Sequence, residues 1–275
     1  MKLSDIVRYK NTIDQLQSNS EYRWTVDNHL EYLLRAVRSE VPISIFDGAK
    51  ITHVNRRGKF LWLEFNRPEV LVAHLGMSGQ FLVQPNRSPR EKHARAVFEL
   101  KNGRELRFID QRTFGWLAVS RTTNGIPELA AHIALDLFDS KFSIKNVAAE
   151  ISKRNTQIKK VLLDQSMLSG IGNIYADEAL WMAQIHPETS TQNLNLSEIE
   201  NLLRKSKQVM KAALKEGGTS FDDLYINVNG ESGYFERRLK VYGREGEPCR
   251  RCGREIQRIA FANRSSHLCP RCQKR

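Results

Sequence analysis

All four cysteines of the 275-residue chain fall in its last thirty residues, as Cys249-x-x-Cys252 and Cys269-x-x-Cys272. Two such pairs, with residues 253–268 between them, fit a four-thiolate zinc ribbon, in which each pair sits on a tight turn and a short β-hairpin brings the pairs around one tetrahedral ion. No cysteine is left over. Two disulfides would use the same residues, but MKLSDIVRYK at the start lacks the apolar core of a secretory signal, and thiols in a reducing compartment stay reduced. The expected cofactor is therefore one structural Zn²⁺.

Charge gathers around this motif. Residues 237–275 hold twelve Lys or Arg against three Glu, +9 of the chain's formal +12. A pI near 9.7 suits an anionic partner, either nucleic acid or an acidic membrane surface. A basic hairpin stiffened by metal suits a phosphate backbone in particular, since each cation placed against it releases counterions. No apolar run approaches the roughly 18 residues of a spanning helix. A cytoplasmic or nucleoid-associated protein is the expectation.

Three patterns follow one another along the chain. Residues 1–16 read as a helix, with Leu3, Ile6, Val7, Ile13 and Leu16 on one stripe. From about residue 46 short β-rich runs take over, at 49–54, 60–65, 70–74, 79–83, 96–100, 105–109 and 116–120. Turn signals such as Asn66-Arg67-Pro68 and Asn102-Gly103 separate them, and the spacing predicts a β-sandwich or barrel. After about residue 125 the pattern turns helical. Ser197-x-x-Glu200 reads as a capping box ahead of Ile199, Leu202, Leu203, Val209, Met210, Ala213 and Leu214, with Gly217-Gly218 as the stop. The fold expected is a multi-domain α+β chain: an N-terminal helix and β-sandwich over 1–125, a linker and helical domain over 126–236, and a zinc hairpin over 237–275.

Several segments then occur in one order: Arg56-Arg57-Gly58-Lys59, His74-Leu75-Gly76-Met77-Ser78-Gly79, Lys92-His93, and Asp110-Gln111-Arg112-Thr113-Phe114-Gly115. Leu163-Asp164-Gln165, Gly170-Ile171-Gly172-Asn173-Ile174-Tyr175-Ala176, Gly217-Gly218-Thr219, Gly233-Tyr234-Phe235 and Val241-Tyr242-Gly243-Arg244 follow, ahead of the ribbon. In this set the chain resembles the formamidopyrimidine-DNA glycosylase / endonuclease VIII family of base-excision repair enzymes, over about residues 46–275.

The resemblance implies a β-sandwich, a helix–two-turns–helix domain and a zinc finger. It also implies a monomer acting on double-stranded DNA with a damaged base or an abasic site, removing oxidised purines and nicking by β,δ-elimination. Lys59 matches the proton donor of β-elimination and Arg264 the arginine of the δ step. His93, Arg112, Lys153 and Asn173 match DNA-binding positions. Met77, Arg112 and Phe114 match the side chains that fill the gap left by a flipped nucleotide, offsetting part of the lost stacking. Each residue alone has a plainer reading: Asn173 as a helix cap, Lys59 as a surface lysine, Met77 and Phe114 as core. The family usually places a second arginine where this chain has Thr113.

The likeness breaks at the start. The family begins Met-Pro-Glu-Leu-Pro-Glu and attacks the deoxyribose with the proline amine, whereas this chain begins Met1-Lys2-Leu3-Ser4-Asp5-Ile6, with no proline or glutamate in its first twenty residues. With Leu3 aligned to the family leucine, Met1 takes the nucleophile's place, Lys2 that of the acidic glutamate, and Asp5 that of the second glutamate. On one reading the methionine stays on, because a lysine after the initiator normally prevents its removal; a misassigned start would also explain the mismatch. The Met1 α-amine, with an ordinary pKa near 8, is about a tenth neutral at pH 7 and so competent to form an imine. Asp5 would be the substitute carboxylate. The alternative is a protein that binds lesions or abasic sites with its chemistry lost, and outside repair, a general zinc-ribbon protein of nucleic-acid metabolism.

Overall fold

A computed structural model describes residue 38 and residues 41–76, 78–100, 103–216 and 238–274. The expected first helix and the glycine pair at 217–218 lie outside the described residues. The chain forms two compact units, Met1–His132 with Ser220–Gly233, and Ile133–Thr219 with Tyr234–Arg275.

Among the described residues of the first unit, seven main strands form two antiparallel sheets. Strands β1 (Ile51–Arg57), β2 (Phe60–Phe65), β3 (Val70–His74) and β7 (Trp116–Ser120) pair in that order. Strands β4 (Gln80–Pro85), β6 (Arg104–Ile109) and β5 (Ala94–Leu100) make the other sheet. The short pair β8 (Thr122–Thr123) and β9 (Ile126–Pro127) follows. Val54, Leu61, Leu63, Leu71 and Leu117 from one sheet share a core with Phe81, Phe98, Leu106 and Phe108 from the other, so the β-sandwich reading holds. Strand alternation supplies this inner face: Leu61 and Leu63 point inward, while Trp62 joins Val70 and Val72 in a separate cluster outside it. Gly103, at φ 75, takes the left-handed turn position between β5 and β6 that the Asn-Gly signal requires.

The second unit contains helices α1 (Ile144–Ser152), α2 (Ile158–Leu163), α3 (Asn173–Ala183) and α4 (Leu196–Lys215), then the hairpin of β10 (Gln257–Phe261) and β11 (Arg264–Leu268). Helix α4 buries Ile199, Leu202, Leu203, Val209, Met210 and Ala213, as the periodicity requires. Its capping box lies two residues earlier than the sequence pattern suggests. Asn195 accepts from Glu198 N at 3.0 Å and Glu198 Oε2 accepts from Asn195 N at 2.8 Å, which satisfies the first turn before Ser197 is reached.

Between α2 and α3 two side chains hold consecutive turns. Asp164 Oδ1 accepts from Ser166 N at 3.0 Å. The Gln165 amide donates to Ile171 O at 3.1 Å and accepts from Gly170 N at 2.9 Å. Gly170, at φ 91, allows the reversal that delivers the chain to α3.

Candidate DNA interface and metal centre

The four cysteine Sγ atoms lie within 4.8 Å of one another. A tetrahedral zinc with bonds of about 2.3 Å needs sulfurs about 3.8 Å apart, so the donor set fits the ion. The fit extends to the surroundings. Trp181 Nε1 and Arg251 N each donate to Cys249 Sγ at 3.4 Å, and Cys272 N donates to Cys269 Sγ at 3.5 Å, all groups that stabilise thiolates. Burial pushes the Cys249 thiol up, but N–H groups led by that of Arg251 bring it down to about 6. Burial and the neighbouring thiols push Cys272 up to about 12. Thiols that resist joint ionisation are those a divalent cation reconciles. One structural Zn²⁺ is thus held by Cys249, Cys252, Cys269 and Cys272, and its contribution is rigidity.

The helical part grips this ribbon through buried charge. Lys159 on α2 and Asp177 on α3 pair at 2.6 Å, with both side chains fully buried. Asp177 accepts from Ser266 Oγ at 2.7 Å and from His267 N at 2.9 Å on β11. Lys159 Nζ and Asn173 Nδ2 both donate to Ser265 O at 3.0 Å. Glu178 accepts from the backbone N–H groups of Lys240 and Val241 at 2.9 Å and of Tyr242 at 3.0 Å, while burial raises its pKa.

These contacts place two of the candidate residues side by side. Arg264 is exposed at the first position of β11, next to Ser265, and Asn173 opens α3 with its amide on Ser265 O. The cap of α3 is Gly172, so the Asn173 side chain reaches across to the hairpin instead of capping. Lys153 is exposed at the end of α1 and pairs with Glu150 at 2.6 Å. Among the described residues no hydrogen bond or ion pair joins it to Asn173 or Arg264.

In the first unit Arg112 and Phe114 lie on a loop where the chain changes sheet, and Lys59 and His93 lie on turns that strand pairing brings to the same end. Lys59 follows Gly58, at φ 56, in the two-residue turn between β1 and β2. Phe60 pairs with His74 across β2 and β3, and His74 pairs with Trp116 across β3 and β7. Burial first, then the charge of Lys59, lowers the His74 pKa to about 4, so the imidazole is neutral and its Nδ1 accepts from Gly76 N at 3.2 Å. Beyond β6, Asp110 N donates to His93 O at 3.0 Å, which brings the Lys92-His93 segment to the same end. Arg112 and Phe114 are both exposed, and the guanidinium carbon of Arg112 lies 5.3 Å from the Phe114 ring centre. An exposed phenylalanine beside a cation is no core residue. Thr113, in the position of the family's second arginine, adopts φ 54, a conformation that strains a β-branched residue. Met1, Lys2, Asp5 and Met77 lie outside the described residues.

Arg107 has no counterpart in the sequence reading. Its buried guanidinium donates to Pro89 O at 2.8 Å, Ser88 O at 2.9 Å, Glu91 Oε2 at 3.0 Å and Glu105 Oε2 at 2.7 Å, which fixes the segment leading to His93. Arginine within an otherwise buried strand was the one signal available. Lys159, Asp177 and Glu178 gave less, because charged residues on helices are usually solvated.

The arrangement defines a class: a β-sandwich with polar and aromatic loops at one end, followed by a helix–two-turns–helix unit bound to a cationic zinc hairpin. Comparison with known proteins makes it specific. Residues 12–117 match the formamidopyrimidine-DNA glycosylase N-terminal domain, residues 133–224 the formamidopyrimidine-DNA glycosylase H2TH domain, and residues 246–275 the zinc finger found in FPG and IleRS. A formamidopyrimidine-DNA glycosylase of Thermobifida fusca is 51% identical over 259 residues, covering 88% of each chain. One from Mycobacteroides abscessus is 48% identical over 262 residues, covering 91% of each. Among solved structures, the MutM (Fpg) protein of Thermus thermophilus superposes with a TM-score of 0.84 at 31% identity, over 99% of this chain and 98% of that one. The Lactococcus lactis Fpg in complex with DNA containing an abasic site gives 0.86 at 30% identity over the whole of both chains. The chain belongs to the formamidopyrimidine-DNA glycosylase family. Among the described residues no helix is long and apolar enough to cross a membrane.

Proposed function

We propose that this protein removes oxidised purines of the 8-oxoguanine and formamidopyrimidine type from double-stranded DNA and nicks the resulting abasic site by β,δ-elimination, acting as a monomer on chromosomal DNA in the bacterial cytoplasm. The observation that carries the reading is the exposed Arg112–Phe114 pair beside the loop that contains Met77, because such a set suits filling a gap in a base stack. Lys59 would donate the proton of β-elimination. Arg264, with Asn173 next to it, would hold the phosphates flanking the lesion and serve the δ step. His93 and Lys153 would add phosphate contacts. The amine proposed as nucleophile is that of Met1, with Lys2 beside it and Asp5 as the carboxylate.

The shares of chain covered by relatives at about half identity favour the enzyme over a binding-only descendant. The test is incubation with duplexes containing 8-oxoguanine, a natural abasic site, or neither. Base release and a nick only in the damaged duplexes are expected. Equal, weak binding to all three without a nick would end the reading.

A further inference from the structure

Two loops cross between the sheets at the end of the sandwich where the candidates gather: residues 75–79 lead from β3 to β4, and residues 110–115 lead from β6 to β7. They run side by side because His74 pairs with Trp116 at one margin and Gln80 with Ile109 at the other. Their backbones are in contact. A Cβ on Gly76, whose φ is 60, would lie 2.5 Å from Gly115 N and 2.6 Å from Phe114 O, so only glycine admits this approach.

Asp110 sits at the seam with its side chain fully buried. Its Oδ1 accepts from the Ser78 hydroxyl and its Oδ2 accepts from Gly115 N at 2.6 Å. Ser78 Oγ in turn accepts from Arg112 N at 3.0 Å. One continuous chain therefore runs from the Arg112 N–H through the Ser78 hydroxyl to the Asp110 carboxylate and on to the Gly115 N–H. The residue before Ser78 is Met77, and the residues between the bonded N–H groups are Thr113 and Phe114. Arg95 donates to the Asp110 backbone carbonyl at 2.8 Å, which anchors the start of the loop separately from the carboxylate. Burying a carboxylate is costly unless every acceptor is met, and a fully met network fixes one geometry.

We propose that Asp110 and Ser78 are positioning residues for lesion recognition, a latch that joins the two loops so that their gap-filling side chains enter the duplex as one rigid piece. The inference rests on the reading of these loops as the wedge and adds to it the pair that sets their geometry. A latch differs from ordinary core satisfaction in what it controls. Breaking it would leave the sandwich folded and the cationic grip on intact DNA in place, but let the loops move apart and weaken the preference for a vacancy in the stack.

The test uses the full, zinc-loaded chain with Ser78→Ala, Ser78→Thr, Asp110→Asn and the double variant Ser78→Ala/Asp110→Asn. Each is titrated with an intact duplex and with one holding a tetrahydrofuran abasic-site analogue opposite 2-aminopurine, whose fluorescence rises as stacking is lost. For Ser78→Ala we expect unchanged binding to intact DNA, a drop of about tenfold in preference for the abasic duplex, as for loss of a hydrogen bond to a carboxylate, and a smaller fluorescence rise. Ser78→Thr keeps the hydroxyl and restores both. The double variant loses no more than the worse single one, because both changes break one chain of bonds.

Full preference and full fluorescence in Ser78→Ala, or losses that add in the double variant, would overturn the latch. Equal losses in the alanine and threonine variants would overturn it too, since the hydroxyl would then not matter. Should Ser78→Ala fail to fold, Asp110→Asn, which preserves size and shape, is judged by the same two readouts. A wild-type protein that binds both duplexes equally would refute the repair reading and the latch with it, whereas a discriminating wild type with an equally discriminating Ser78→Ala refutes the latch alone.

Discussion

Lys159 Nζ and Asp177 Oδ1 lie 2.6 Å apart, and neither side chain reaches solvent. Burial pushes the Lys159 ammonium toward its neutral form and the Asp177 carboxylate pulls it back. The same carboxylate takes bonds from Ser266 and His267, so one buried pair ties α2, α3 and the zinc hairpin together.

Removing one partner leaves the other charge buried and uncompensated. Asp177→Ala should cost about 3–5 kcal/mol in urea unfolding. Glu150→Ala, which breaks the exposed pair with Lys153, should cost less than about 1 kcal/mol. Comparable losses at the two sites would contradict this account of the hairpin's attachment.

The zinc centre should be stoichiometric. Metal analysis of purified protein should find one zinc per chain, and Cys249→Ser should lose most of it along with thermal stability, because metal affinity and folding of such a hairpin are one free energy. Zinc content that is equal and negligible in both proteins would remove the metal from the account.

His74 sets an acid dependence of known sign. Its folded pKa lies near 4 against an ordinary 6.5, so between those values the unfolded chain binds a proton that the folded protein refuses. This group's share of stability is therefore complete above pH 6.5, falls by up to about 1.4 kcal/mol per pH unit below it, and stops falling near pH 4. Urea unfolding between pH 7 and pH 4.5 should show a shallower decline for His74→Phe than for the wild type. Parallel declines would mean that His74 is not held neutral.

The start of α4 separates a cap from its near neighbour. Asn195→Ala should cost about 1 kcal/mol, whereas Ser197→Ala, at an exposed position already inside the helix where alanine is the better helix former, should be neutral or gain a few tenths. Denaturant melts of the two variants check this, and a larger loss at Ser197 would restore the position suggested by sequence pattern.

That contrast illustrates what a sequence discloses. The Ser197-x-x-Glu200 spacing and the Asn195-x-x-Glu198 spacing are equally good boxes, and only the backbone hydrogen bonds distinguish them. Strands such as β2, β3 and β7 were legible to the residue because short apolar runs ended at turn formers. The cysteine pairs were legible because ligand spacing is itself the signal. Asp110 and Ser78 were visible only as members of motifs, since nothing in their spacing states that the two loops touch. Lys159, Asp177 and Glu178 were not legible, and Arg107 left only the trace of a cation between apolar residues of a strand. A buried charge is betrayed by its partners, and those partners lie far away in the chain.

The central claim is that a protein of this family excises damage through an amine at its own start. It is tested most directly by borohydride reduction during incubation with abasic-site duplex, followed by peptide mapping. The account predicts a covalent protein–DNA adduct on the peptide beginning at Met1, together with nicked strand in unreduced controls. Tight binding to the abasic duplex with neither adduct nor nick would contradict it.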